Sequence, residues 1–290
     1  MQMPESSKYL TTREVAALMR VKERKIYDLV ARGDIPYSKT TGKLLFLEDA
    51  VLAWINKDSL PIGKTQLTIS GSHDPLFEAV LRQTGADIAT LWNGSTAGLE
   101  RVVKGQASAA LLHIYCAQER SWNIHAVKTD CAEKDVVLLH WANRRRGLVM
   151  TTAAAENVTS LSAIQPWRLS QRQAGAGAQI MFDHLLAEAG LEKDQLDLAA
   201  ACHTELESVL TLLEGQADIA FGLQHFAVKY NLAFLPLVTE SVDILVDRKM
   251  VFEPAFQALL AFCHSDSFTE LLSGFYGYDT TGLGQVRFNA

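Results

Sequence analysis

Four cysteines in 290 residues are few, and Cys116, Cys131, Cys202 and Cys263 stand far apart, with no Cys-x-x-Cys pair and no histidine at finger spacing. That excludes a disulfide-stapled scaffold and a zinc finger, and predicts reduced, mostly buried thiols. No apolar run reaches the roughly 20 residues that span a bilayer. The opening Met1-Gln2-Met3-Pro4-Glu5-Ser6-Ser7-Lys8 also lacks the basic region and apolar core of a secretory signal. A cytoplasmic location with no membrane partner is the expectation. Gly-x-Ser-x-Gly, His-Glu-x-x-His and a Walker loop are missing too, so no motif assigns a catalytic residue, a metal ligand or a resident cofactor, and no enzyme is expected.

What is present is ordinary for a folded chain with cores of its own: 48% hydrophobic and 21% charged residues over a length that suits two or three domains. Charge is uneven. Residues 1–60 hold ten Lys and Arg against eight Asp and Glu, whereas the remaining 230 hold seventeen against twenty-five, which gives +2 and −8 within a net charge of −6. A weakly basic head on an acidic body suits a small DNA-binding module joined to a domain that stays off DNA.

Residues 9–57 read as one compact unit. Thr11 or Thr12 caps a helix with Val15, Ala16, Leu18 and Met19 as its apolar positions, and Arg20-Val21-Lys22 turns into a second helix, Glu23 to Arg32, ended by Gly33. Ile26, Leu29 and Val30 fall on one face and Lys22, Arg24, Lys25 and Asp28 on the other. A hairpin follows, Ile35 to Ser38 and Lys43 to Leu47 around Lys39-Thr40-Thr41-Gly42, and Asp49 to Ile55 closes the unit as a helix. The pattern Tyr9-Leu10-Thr11-Thr12-Arg13-Glu14-Val15-Ala16, Ile26-Tyr27-Asp28-Leu29, Gly33-Asp34-Ile35-Pro36 and Glu48-Asp49-Ala50-Val51-Leu52-Ala53-Trp54-Ile55 resembles the excisionase-type winged helix-turn-helix. The resemblance implies that Lys22, Arg24, Lys25 and Tyr27 meet the major groove of double-stranded DNA, and Lys39, Thr40 and Lys43 its backbone or minor groove. Lys22 stands where the family often has a capping Ser or Thr. Residues 58–66, with Pro61 and Gly63, read as a linker.

From Leu67 onward strands and helices alternate, which implies a parallel sheet whose ligands sit beyond the carboxyl ends of its strands. Leu67 to Gly71 runs into the turn Ser72-His73-Asp74-Pro75 and a helix to about Thr84; Ile88 to Trp92 is a second strand, Asn93-Gly94-Ser95-Thr96 a second turn, and Ala109 to His113 a third strand. The motif helix, Gly105-Gln106-Ala107-Ser108, strand returns 110 residues later as helix, Gly215-Gln216-Ala217-Asp218, strand. Two similar lobes follow, about 67–140 with 243–290 and about 145–236, joined through Val136 to Ala142 and the region from Leu237 to Val246 as hinge strands. Gly71-Ser72-His73-Asp74-Pro75, Arg172-Gln173-x-Gly175-x-Gly177, Gly215 to Ala220 and Gly277-Tyr278-Asp279 resemble the periplasmic-binding-protein-like (type II) domain related to molybdate-binding proteins and to the sensors of LysR-type regulators.

That resemblance implies a ligand-binding set of Ser72, His73, Ser95, Thr96, His113, Arg172, Gln173, Gly175, Ala176, Gly177 and Thr204, with a small oxyanion such as molybdate or tungstate as effector. Amide groups at helix starts and hydroxyls would be the donors. The related loop Gly-Ser-Gly-Thr-Arg is here Gly175-Ala176-Gly177-Ala178-Gln179, which loses two hydroxyls and a guanidinium, so an organic metabolite stays open. Arg144-Arg145-Arg146 reads as a solvated loop, Asp74 as a helix cap, and His113, His140 and His225 as satisfied structural groups or ligands. Ser72-His73-Asp74 is a triad in letters only, since neighbours in sequence do not assemble that geometry. The architecture expected is α/β, a winged helix-turn-helix over 1–57 and a two-lobed sensor over 67–290, in a homodimeric ligand-responsive transcriptional regulator. A transporter's solute-binding component and an enzyme of molybdenum-cofactor metabolism are the rivals.

Overall fold

In the computed structural model, residues 8–40, 42–55 and 67–289 are described, and they divide into two compact units that part between Ile55 and Leu67. The linker expected over 58–66 lies outside the described residues, as does the side chain of Thr40.

The first unit consists of β1 (Tyr9–Thr11), α1 (Thr12–Leu18), α2 (Glu23–Arg32), β2 (Ser38–Thr40), β3 (Lys43–Leu47) and α3 (Glu48–Ile55), with a sheet ordered β1-β3-β2. Thr11 caps α1 through a capping box in which its hydroxyl accepts from the Glu14 amide and the Glu14 carboxylate accepts from the Thr11 amide. Gly33 closes α2 with φ of 74°, a conformation glycine adopts without Cβ strain. Leu10, Val15, Ala16, Ile26, Ile35, Phe46 and Val51 form the core. The helices, the second hairpin strand and the closing helix stand where the sequence pattern puts them, but the first hairpin strand is Ser38–Thr40 rather than Ile35 to Ser38, so Lys39 and Thr40, expected in the turn, pair with Leu44 and Lys43 instead.

The second unit begins with β4 (Leu67–Gly71), α4 (Pro75–Thr84), β5 (Ile88–Trp92), α5 (Ser95–Val103), β6 (Ala109–Leu112), the small pair β7 (Tyr115–Cys116) and β8 (Ser121–Trp122), and α6 (Ile124–Asp130). It continues with β9 (Val136–Met150), α7 (Thr152–Ala155), β10 (Arg168–Arg172), α8 (Gly177–Glu188), β11 (Asp197–Cys202), α9 (Glu205–Leu213), β12 (Ile219–Leu223) and α10 (Gln224–Lys229). β13 (Ala233–Asp247), α11 (Pro254–Cys263), α12 (Asp266–Leu272), β14 (Tyr278–Asp279) and β15 (Val286–Asn289) complete it. The strands lie in the order β11-β10-β12-β9-β13-β6-β4-β5, with β14 and β15 on β9.

β4 pairs in parallel with β5 and β6, and β10 with β11 and β12, so each end of the sheet is a small parallel array flanked by helices. Between them β9 and β13, 15 residues each, run antiparallel to one another along almost their whole length. They contain Val136 to Ala142 and Leu237 to Val246, the crossover segments picked out in the sequence, are longer than expected, and pass continuously through the places where the lobes were expected to divide. Separate cores lie on the two sides, one around Ile69, Phe77, Trp141 and Phe256, the other around Leu148, Met181, Phe182 and Phe221. The repeat at 110 residues is real in three dimensions: α5 and α9 each end at a glycine with φ of 68°, and β6 and β12 follow.

One expectation is overturned here. Arg144-Arg145-Arg146 is not a solvated loop but the middle of β9, and strand alternation turns Arg144 and Arg146 inward, 1% and 0% exposed, while Arg145 faces out. Their charge hides the strand pattern in the sequence, and buried carboxylates contributed by other elements supply the compensation.

Gly71 shows how tightly the first parallel array is packed. Its φ is 106°, and a Cβ there would stand 2.3 Å from the Leu111 carbonyl oxygen, a backbone atom that cannot swing away. Gly71→Ala is expected to destabilise the unit by about 2–3 kcal/mol, read as a lowered unfolding midpoint in urea. An unchanged midpoint would show that β4 and β6 separate at little cost.

Candidate functional site

The carboxyl ends of β4, β6 and β10 and the starts of α4, α5, α8 and α9 converge on one cleft. Its wall comprises Ser72, His73, Trp92, Gly94, His113, Arg172, Ala176, Ala178, His203, Thr204 and Glu205, around a cavity of about 10 Å3, close to the size of one water molecule. The two sides touch across it. The Thr96 hydroxyl donates to the Gly175 carbonyl at 2.6 Å, and a Cβ on Gly177 would stand 2.5 Å from the His113 carbonyl oxygen.

Of the residues singled out from the sequence, Ser72, His73, His113, Arg172, Ala176 and Thr204 lie on this wall. The others are near but engaged elsewhere. Ser95 is buried and its hydroxyl accepts from the His113 amide at 3.1 Å; Thr96 and Gly175 bond each other; Gln173 donates its amide to the Cys202 carbonyl and accepts from the Arg172 side chain. The Thr204 hydroxyl is spent as the cap of α9, accepting from the Glu207 amide. Hydroxyls are therefore scarce as free donors. The helix starts differ in the same respect: α4 and α9 carry side-chain caps, but α5 begins behind Gly94 and α8 behind Ala176 with none. The first amides of such helices have no partner within the helix and favour an anion.

Behind the cleft runs a chain of buried charges that the sequence did not disclose. Asp74 caps α4 by accepting from the Phe77 amide at 2.7 Å, and it also accepts from Trp141 Nε1, Arg144 Nη1 and the Tyr278 hydroxyl. Arg144 Nε donates to Glu240 at 2.6 Å, Arg146 donates to Glu240 and, through both terminal nitrogens, to Glu205, and Arg172 Nη1 reaches Glu205 at 2.9 Å. Three carboxylates and three guanidinium groups alternate from the first parallel array, across β9 and β13, to the second. Burial alone would raise the Glu205 carboxyl, but Arg146 and Arg172 outweigh it and hold it at about 2; Glu240 is likewise kept well below its usual range by Arg144 and Arg146 against the cost of burial. Arginines at i and i+2 in one long strand, and a glutamate with apolar runs on either side in the other, were the available signal.

Ser72 Oγ lies 2.8 Å from His113 Nε2, and His113 Nδ1 lies 3.1 Å from Glu240. The order is that of a nucleophile, a base and its orienting carboxylate, drawn from residues far apart in sequence. Glu240 is nonetheless shared with Arg144 and Arg146, which oppose an imidazolium beside them, and burial first, with those two arginines adding to it, keeps His113 below its ordinary range. The array therefore fixes the orientation of His113 more readily than it drives Ser72 as a nucleophile.

In the first unit, Lys22, Arg24, Lys25 and Tyr27 are exposed along α2, and Lys39 and Lys43 are exposed on the hairpin. A groove of about 620 Å3 between helix and hairpin is lined by Thr11, Arg13, Tyr27, Lys39 and Lys43 among others. Lys22 stands at the N-cap of α2 in extended conformation, and its side chain makes no capping bond. Among the described residues no helix is long and apolar enough to cross a membrane, and no cluster of His, Cys, Asp or Glu suits a metal ion.

A helix-turn-helix unit and a two-lobed α/β unit closed about a polar cleft define a class of chain that joins DNA binding to ligand binding. Residues 78–264 match the family described as the PBP superfamily domain, and residues 9–59 match a helix-turn-helix domain family. The chain belongs to the PBP superfamily domain family, with a helix-turn-helix domain at its head. It is similar to the uncharacterized protein YvgK of Bacillus subtilis (strain 168), 24% identical over an alignment of 307 positions that spans 98% of this chain and 99% of the relative. Its fold is similar to that of the tungstate ABC transporter from Geobacter sulfurreducens, at a TM-score of 0.51 and 12% identity, over 73% of this chain and 100% of that one. It is similar also to the Synechocystis PCC6803 CcmR regulatory domain in complex with 2-PG, at a TM-score of 0.50 and 10% identity, over 68% and 94%. At these identities the likeness is one of fold.

Proposed function

We propose that the protein is a cytoplasmic one-component transcriptional regulator that binds double-stranded DNA through α2 and the hairpin and responds to a small oxyanion, the class to which molybdate and tungstate belong. The observation that carries the effector reading is the meeting of two uncapped helix starts, α5 behind Gly94 and α8 behind Ala176, on opposite walls of one cleft. An anion bound there contacts both lobes and so favours the closed arrangement over an open one. A helix-turn-helix of this size makes few contacts, and a homodimer reading two half-sites supplies the rest. The neighbours named for tungstate and 2-PG agree in binding anions. A second reading, a small organic anion, draws support from Trp92, Ala176 and Ala178 on the wall, which offer apolar surface beside the amides.

The test is thermal unfolding of the full chain against molybdate, tungstate, sulfate, phosphate and formate. A ligand at 100 times its dissociation constant adds about 2.7 kcal/mol by mass action. At least one oxyanion is expected to raise the midpoint and to change affinity for DNA; silence from all of them would move the search to organic metabolites.

A further inference from the structure

Arg145 is the arginine that the ion chain leaves out. It faces away from the cleft, exposed on β9, and among the described residues its guanidinium has no ion pair and no hydrogen bond. Beside it lies a second hollow, of about 390 Å3, on the outer face of the β9–β13 ribbon, which shares no wall residue with the cleft. Asn143, two residues back on the same face of β9, and Thr239, opposite Arg145 on β13, line it, and their side chains are equally unpartnered. Gln224, at the start of α10, adds an amide whose Oε1 is buried with no donor. Between Gln224 and Arg145 the floor is bare backbone: a Cβ on Gly277 would stand 2.8 Å from Gln224 Oε1 and 3.3 Å from Arg145 Cβ.

The other end of the hollow is anionic. Asp279 stands opposite Asn143 in the β9–β14 ladder, and the hydroxyl and amide of Thr281 hold its carboxyl below the ordinary range. Arg145 and Asp279 are therefore one strand across and two residues along from each other, roughly 8 Å between Cα atoms by strand geometry. Among the described residues neither is in an ion pair. A simple anion drawn to Arg145 meets the repulsion of Asp279, and a simple cation the reverse, whereas a molecule with both charges gains from each. We propose that this hollow is a second ligand site, for a small zwitterion of the class of free α-amino acids, with its carboxylate on Arg145 and its ammonium on Asp279. The amides of Asn143 and Gln224 and the Thr239 hydroxyl donate and accept, and serve the remaining polar atoms of the ligand. Gln224 follows the second parallel array, while Tyr278, beside Asp279, packs on the core of the first. The ligand so held fastens α10 to β14 on the side of the ribbon away from the cleft, whatever the cleft itself binds.

The experiment is isothermal titration calorimetry of the full chain at neutral pH with each of the proteinogenic L-amino acids. The tightest binder is then compared with its deaminated and decarboxylated analogues, which for alanine are propionate and ethylamine. The amino acid is expected to bind about 10- to 100-fold tighter than either analogue, the effect of one charged hydrogen-bonded contact. Arg145→Ala is expected to remove the preference over the decarboxylated analogue, and Asp279→Asn the preference over the deaminated one. Both side chains are exposed, circular dichroism checks the fold, and Arg145→Lys is expected to restore part of the affinity. A residue that only supports the fold would leave these two preferences in place. Binding of no amino acid overturns the proposal, as do analogues that bind as tightly as the amino acid. Binding unchanged in both Arg145→Ala and Asp279→Asn also overturns it and moves the amino acid to another site.

Discussion

Glu240→Ala is expected to lower the stability of the ligand-binding unit by about 3–5 kcal/mol, the cost of leaving buried cations without their counter-charge. Urea unfolding of the full chain, followed by tryptophan fluorescence, reads the loss. Glu240 is fully buried and stands between Arg144 and Arg146, so its removal leaves Arg144 with Asp74 alone and Arg146 with Glu205 alone. It also releases His113, whose Nδ1 loses its acceptor. The same ion chain sets the acid limb of stability. Glu205 is held at about 2 in the folded chain against an ordinary 4.5, so its contribution is complete above the ordinary value and is lost as pH falls from there toward 2. A shift of that size corresponds to about 3 kcal/mol for this fully buried group. Glu240 acts with the same sign, since it too is held below its usual range. A Glu240→Ala chain as stable as the parent would mean that the arginines reach water, and the buried network would have to be abandoned.

Replacing Arg24 and Lys25 together by alanine is expected to weaken DNA binding by about 100-fold and to lower the salt dependence by about two counterions, the signature of two lost cationic contacts. Both side chains are exposed on α2, away from the face that buries Ile26, so the unfolding midpoint should hold. Fluorescence anisotropy over a series of salt concentrations measures both quantities, with a duplex selected from a random pool. Affinity and slope equal to those of the parent would take α2 off the DNA and leave the hairpin cations, Lys39 and Lys43, as the alternative contact.

Local signals carried well from sequence to structure. The strand Ile88–Trp92, the cap at Thr11, the glycine stops at Gly33, Gly105 and Gly215, and the 110-residue repeat all rest on short-range chemistry, and all stand where the pattern puts them. The site was legible only in part, because its wall is made by contacts of long range. His113 meets Glu240 across 127 positions and Ser72 across 41, and the partners of Arg144 and Arg146 lie 59 to 96 positions away. Three adjacent arginines look like a solvated loop until those carboxylates are brought beside them. Thr96 and Thr204 show the opposite limit: a hydroxyl at a helix start is visible in the sequence, but whether it faces a ligand or satisfies a neighbouring backbone group is decided by the packing.

The β9–β13 pair changes register twice, at Pro236/Val238 and at Val242/Asp243, and between these irregularities Thr239, Glu240 and Ser241 stand opposite Arg145, Arg144 and Asn143. Each irregularity adds bend and twist to the ladder, while the short stretch between them is pinned by the ions of Glu240 and Arg144. The curvature of this long ribbon is therefore put in at two places rather than one, and the charged residues that tie the two parallel arrays together occupy the run between them.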